Sequence, residues 1–377
     1  MKTALRLILG LMAGGVIGLL IGGAITIAFT DTSWSEYIDR YCAIGFSEGM
    51  AVFLVAVVSM IVSFLVLVPV HELGHLVCGI LTGYGFVSFR IFNYTVIRID
   101  GKLRIKNFAI AGTGGQCLLT PPDLPLDRIP TGWYNFGGVM ANIVILAIAL
   151  PFFLLPLNPF VAEALGVFVA VDAIMILLNG IPMMAGGVGN DGYNMKILKK
   201  NLRSKQGIVN QLRANALIQN GVRPKDMPEE FFENPEDIDY RNALEVSIPL
   251  MYSSRLVDEM KYAEALECLE SLYARKEEIM PLYVKEIACE LAFLYLRTGN
   301  AGKASVLLDK DLRKYIETYS KMMSSKERLL CAIALYLDND RAKAREIYTN
   351  LLYRQDEYLL QGEVKSDLAL MEDMLKA

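Results

Sequence analysis

The sequence predicts a mainly α membrane protein with about four transmembrane helices and a β-hairpin insertion, followed by an all-α cytosolic domain. Three observations carry that expectation. Hydrophobic residues make up 54% of the 377 and charged residues only 21%, against about 45–50% and about 25% in ordinary soluble domains. The long uncharged runs all lie before about residue 195. The rest of the chain is charged and patterned as helices. The balance of 37 basic and 41 acidic residues gives −4, which excludes a nucleic-acid binder driven by net positive charge. Composition also excludes a disordered tail protein. Six scattered cysteines with no C-x-x-C pair argue against a disulfide framework and a cysteine zinc site.

The first apolar run, about 7–29, exceeds the roughly 7–15 residues of a signal-peptide core and lacks a small-residue cleavage site, so it reads as a membrane helix. Gly14, Gly18 and Gly22 form two G-x-x-x-G steps suited to close helix packing, here expected within the chain. The second run, about 50–81, carries no charge from Met50 to Val70 and contains Pro69, where a kink is expected. The β-hairpin is expected at about 86–110, because Thr95 to Lys106 alternates around Asp100-Gly101, a strong turn signal. The third and fourth runs, about 133–157 and 160–182, are joined across Pro156 and Pro159. Each is long enough for a hydrocarbon core that needs roughly 20 apolar residues.

Loop charges set the orientation. Lys2 and Arg6, the loop with Arg90, Arg98, Lys102, Arg104, Lys106 and Arg128, and the stretch from Lys196 to Arg213 are basic, whereas 30–49 is acidic. Both termini are therefore expected in the cytoplasm. The expected domains are a polytopic membrane domain at 1–195, a basic segment and acidic linker at 196–238, and a helical repeat-like domain at 239–377.

Only two histidines occur, in His71-Glu72-Leu73-Gly74-His75. Residues i and i+4 share a helix face, so both imidazoles can reach one zinc while Glu72 sits beside the metal's water. Two histidines and a glutamate in an apolar helix are costly without such a task. At 1.5 Å rise, His71 lies about 30 Å along the helix from Met50, near the cytosolic edge of the bilayer core. The end of the fourth run reaches the same level. Asn179-Gly180-Ile181-Pro182, a glycine-rich stretch and Asn190-Asp191-Gly192 follow there. A catalytic zinc takes three protein ligands and a water. With no third histidine, Asp191 is the expected third ligand. Asp172, deeper in the fourth run, is the fallback ligand and is expected to face protein or water.

At these residues the chain resembles the site-2 protease family of intramembrane zinc metalloproteases. The resemblance covers about 50–195 and rests on His71-Glu72-x-x-His75, on Asn179-x-x-Pro182 with Asp191-Gly192, and on Gly137-Gly138-x-x-x-Asn142. It implies zinc held by His71, His75 and Asp191, Glu72 as catalytic acid and base, and Asn142 and Asn179 as polar neighbours of the site. It also implies a membrane-associated β-region between the first two core helices. The eight residues at 183–190 make the proline-to-aspartate spacing longer than is usual in the family. The expected location is an integral, multi-pass one in the plasma membrane of a bacterium. The expected partners are a membrane protein or peptide substrate and the lipid bilayer, with no nucleic acid.

In the soluble half, Ala265, Ala304 and Ala344 recur 39 and 40 residues apart in similar segments. They resemble tetratricopeptide-type helix pairs, whose usual period is about 34. Such a domain offers a concave face to a protein partner, and a plain stabilising bundle is the alternative. Two other functions compete with a protease. One is a catalytically inactive membrane adaptor whose helical domain recruits partners, against which an intact Glu72 weighs. The other is a transporter, against which the scarcity of intramembrane charge weighs.

Overall fold

The computed structural model describes residues 32–42, 45–99, 101–107 and 114–376, together with positions 20, 23, 24 and 27. The expected first membrane helix, including Gly14, Gly18 and Gly22, lies outside the described residues apart from those isolated positions. The chain is mainly helical with a small antiparallel sheet, and it divides into two units.

One unit comprises 1–78, 133–183 and 190–193. A short helix, α1 (Trp34–Cys42), precedes α2 (Phe46–Leu81), which runs unbroken through Pro69. The next helix is α3 (Thr131–Ala149), continued by a 3-10 turn over Leu150–Leu154. Asn158 begins α4 (Pro159–Gly180) by accepting from the Phe160 amide at 3.0 Å. Proline in its first position costs no hydrogen bond there. Among the described residues three spans, Ser47–Leu81, Leu126–Leu154 and Pro159–Gly180, are long and apolar enough to cross a membrane, with mean hydropathies of 3.0, 2.2 and 2.3. Their outward apolar residues, such as Leu54, Val58, Ile61 and Ile148, are exposed. That is a costly arrangement in water and a favourable one in lipid.

Glycines decide how closely α2 and α3 approach. A Cβ on Gly74 would meet the Gly137 carbonyl oxygen at 2.2 Å, and one on Gly137 would meet the Gly74 oxygen at 2.4 Å. The two backbones are in direct contact there, as small residues permit.

The second unit comprises 79–132, 184–189 and 194–377. Its sheet contains β1 (Gly85–Ile91), β2 (Tyr94–Ile99), β3 (Lys102–Asn107) and β4 (Gly115–Thr120), in the order β3-β2-β1-β4. The expected hairpin is the β2–β3 pair, with Ile99 opposite Lys102 and Thr95 opposite Lys106. Gly101 takes a positive φ of 75° in its turn. Two further strands complete the sheet. Arg90, expected as a loop charge, is instead 2% exposed and donates to the carbonyls of Phe92 and Gly115 at 3.1 Å each. Its charge holds the β1–β2 turn rather than facing solvent. Among the described residues β3 is an outer strand of the sheet, with Leu103 and Ile105 62% and 72% exposed.

Residues 184–189 form a two-residue-stranded hairpin, β5 (Met184–Ala185) with β6 (Val188–Gly189). Then follow α5 (Asp191–Lys200), α6 (Leu202–Gln219), and a stretch with 3-10 turns whose Met227, Phe231 and Phe232 are buried against Ala214 of α6. Helices α7 (Ala243–Asp258), α8 (Tyr262–Ala274), α9 (Pro281–Arg297), α10 (Ala301–Leu307), α11 (Lys310–Tyr319), α12 (Ser324–Tyr336), α13 (Arg341–Arg354) and α14 (Gln361–Lys376) complete the chain. Ala265, Ala304 and Ala344 are each the fourth residue of their helices and each fully buried. They mark equivalent close approaches in three helix pairs, and α11 is inserted between the second and third.

The facing helices bury an ionic cluster. Lys326 meets Glu286 at 2.7 Å, and Arg328 meets Glu290 at 2.6 Å and Asp367 at 2.9 Å. With Glu363 the cluster holds four carboxyls and two cations. Burial pushes Glu363 up to about 8, with the Asp367 charge adding to it, and pushes Asp367 up to about 6 against the pull of Arg328. Both groups bind a proton more tightly folded than unfolded. The stability that protonated Glu363 contributes is full below its ordinary 4.5 and is lost as pH rises toward about 8. Melting of this unit is expected to occur at lower temperature at about pH 9 than at about pH 6, and Glu363→Gln to flatten that slope. A circular-dichroism melting series checks this, and a melting point that climbs with pH contradicts it.

Candidate metal centre

α2 places His71 and His75 one turn apart on its inner face, 7% and 9% exposed. The ring nitrogens divide cleanly. His71 Nδ1 lies 2.7 Å from Asn142 Oδ1, and His75 Nδ1 lies 2.8 Å from the Tyr134 carbonyl oxygen. Both partners are acceptors, with the Asn142 amide oriented by its own bond to Asp172. Each imidazole therefore carries its proton on Nδ1, and each Nε2 presents a lone pair.

Those two Nε2 atoms point at each other and at Asp191. They are 3.2 Å apart, and Asp191 Oδ2 is 3.1 Å from one and 3.3 Å from the other. With both rings neutral, three lone-pair atoms converge there, and Asp191 Oδ2 is buried with no hydrogen-bond donor other than those rings. A cation resolves that arrangement. Ligands held about 2.0–2.1 Å from a tetrahedral zinc lie about 3.3–3.4 Å from one another, close to the spacings here. Two imidazoles and a carboxylate are also a suitable donor set for that metal.

α3 supplies the floor. A Cβ on Gly138 would sit 2.5 Å from both Nε2 atoms. Only glycine leaves the space where the ligand lone pairs meet.

The long proline-to-aspartate spacing has a structural explanation. Gly186 and Gly187, at φ 59° and 90°, form the turn of the β5–β6 hairpin, as Gly-Gly favours. The chain leaves at Met183 and returns at Asn190, whose backbone amide donates to the Met183 carbonyl at 3.0 Å. The Asn190 side chain closes the gap. Its Nδ2 donates to the carbonyls of Leu178 and Ile181 at 2.6 Å each, and its Oδ1 accepts from the amides of Met183 and Tyr193. Gly192 lets the first turn of α5 press on the end of α4, since a Cβ there would lie 2.2 Å from the Gly180 oxygen. The extra residues loop out, and Asp191 follows directly from the end of α4.

The remaining expected residues divide. Glu72, half-buried beside His71, is within electrostatic reach of His75. Asn142 joins the cluster through His71. Asn179 donates to the Met175 carbonyl of its own helix at 2.9 Å, which ties it to α4 rather than to the ligands. Asp172, the fallback ligand, lies one residue outward: its Oδ1 accepts from Asn142 Nδ2 at 2.6 Å. Sequence reasoning gave no role to Asn190 or to the Tyr134 carbonyl. The Asn-Asp-Gly run was the available sign for the first, and the second has none. Among the described residues this is the one grouping of histidine, cysteine and carboxylate side chains close enough to share an ion. No family model matches the chain, and neither does any curated protein or solved structure.

Proposed function

We propose that the chain is an intramembrane zinc endopeptidase that cleaves a membrane-spanning or membrane-associated protein or peptide near the cytosolic face, in the manner of the site-2 protease family. The observation that carries this reading is the convergence of His71 Nε2, His75 Nε2 and Asp191 Oδ2 beside Glu72. His71, His75 and Asp191 would hold zinc. Bound there, zinc supplies Lewis-acid polarisation of a carbonyl and acidifies a water. Glu72 takes a proton from the attacking water and delivers it to the leaving amine. The apolar spans bring the site to lipid-embedded substrates. The outer edge of β3 would offer backbone hydrogen bonds to an extended segment, which a helix must become before its peptide bonds are accessible.

Comparison of membrane-protein fragments in cells carrying the wild type or the double variant His71→Ala/His75→Ala tests the reading. Fragments ending at the cytosolic face are expected only with the wild type. Identical fragment sets in both cells would remove the protease reading.

A further inference from the structure

Asp172 is fully buried in α4, an apolar helix, and its sole hydrogen-bond partner among the described residues is Asn142. Its second oxygen, Oδ2, is buried and has no partner. An ionisable group in such a place is costly unless it serves something.

We propose that Asp172 is a positioning residue that sets the proton on His71 through Asn142. The argument follows polarity along three links. A carboxylate accepts and does not donate, so Asn142 must turn its Nδ2 toward Asp172. That turns Asn142 Oδ1 toward His71, where it can only accept. His71 must then keep its proton on Nδ1, and its Nε2 is left as a lone pair aimed at Asp191 and His75. Without Asp172 the Asn142 amide can rotate and donate to His71 Nδ1. The proton then moves to Nε2, into the space between the three ligand atoms, and opposes a metal there. His75 needs no such device, because a backbone carbonyl, which cannot rotate its polarity, already holds its Nδ1.

This inference rests on the reading of His71, His75 and Asp191 as metal ligands, but its tautomer step stands without the metal.

The test uses tag-free, full-length protein in detergent with nitrogen-15-labelled histidine. The chain has two histidines, so NMR reads each ring directly. In metal-free wild type both rings are expected as the Nδ1–H form. Asp172→Leu is expected to move His71, and not His75, toward a mixture containing Nε2–H. Zinc affinity, measured by chelator competition, is expected to fall by about 10–100-fold, as for other outer partners of metal-binding histidines. Asp172→Asn, which keeps an acceptor of the same shape, is expected to recover much of that loss. Adding Asp172→Leu to Asn142→Leu should cost nothing further, because the two act in one chain. The His75 signal reports whether each variant is folded, and Asp172→Asn serves if Asp172→Leu is not. An unchanged His71 tautomer with undiminished zinc affinity in the folded variant overturns the proposal. A wild type with the expected tautomers that takes up no zinc instead defeats the ligand reading and leaves the relay standing.

Discussion

Glu72→Gln is expected to abolish cleavage while leaving the metal in place. The side chain keeps its shape and its hydrogen-bonding reach but can no longer take a proton. Neither the Nδ1 anchors of His71 and His75 nor the Asn190 tie that positions Asp191 involves Glu72. Loss of a positioned acid–base group costs about 10²–10⁴-fold in rate. Uncut substrate should therefore accumulate in membranes of the variant, with zinc content equal to that of the wild type. Persistent cleavage would assign the proton transfer elsewhere, and loss of zinc would show Glu72 to be a ligand.

Gly138→Ala is expected to remove metal binding although it alters no ligand. The added methyl would stand 2.5 Å from both Nε2 atoms, well inside van der Waals contact. The rings cannot retreat easily, because each is held at its other nitrogen. Nor can α3 back away without opening the Gly74–Gly137 contact. A loss of at least about 10-fold in zinc affinity follows, since even outer-partner changes cost that much. Chelator competition on the purified variant measures it. Wild-type affinity in Gly138→Ala would mean that α2 and α3 pack more loosely than described.

The helical half of the site was readable because its information is local. His71, Glu72 and His75 share one turn of an apolar helix, and a period of 3.6 brings them together without knowledge of the rest of the fold. Asp191 is distant in sequence and could be placed by matching depths in a bilayer, by counting ligands and by the family resemblance, not by local spacing. What was not legible is what makes that placement work. The β5–β6 strands are two residues each, too short for any alternation to show, and only Gly186-Gly187 marked them. The Asp172–Asn142–His71 chain joins three helices through side chains whose polarity depends on one another. Asp172 stood as the fallback ligand because it is a carboxylate in the same run, although it lies deeper, whereas the fold uses it one bond further out. In the sheet, the β2–β3 pair announced itself by its turn. β1 and β4 did not, because their pairing spans the residues between Ile91 and Gly115.

The central claim is that His71, His75 and Asp191 hold one metal. Elemental analysis of purified full-length protein, beside Asp191→Ala, tests it most directly. About one zinc per wild-type chain, removed by chelator and missing from Asp191→Ala, is the predicted result. A wild type that carries no metal after zinc loading, or an Asp191→Ala protein that holds zinc as tightly as the wild type, would contradict it.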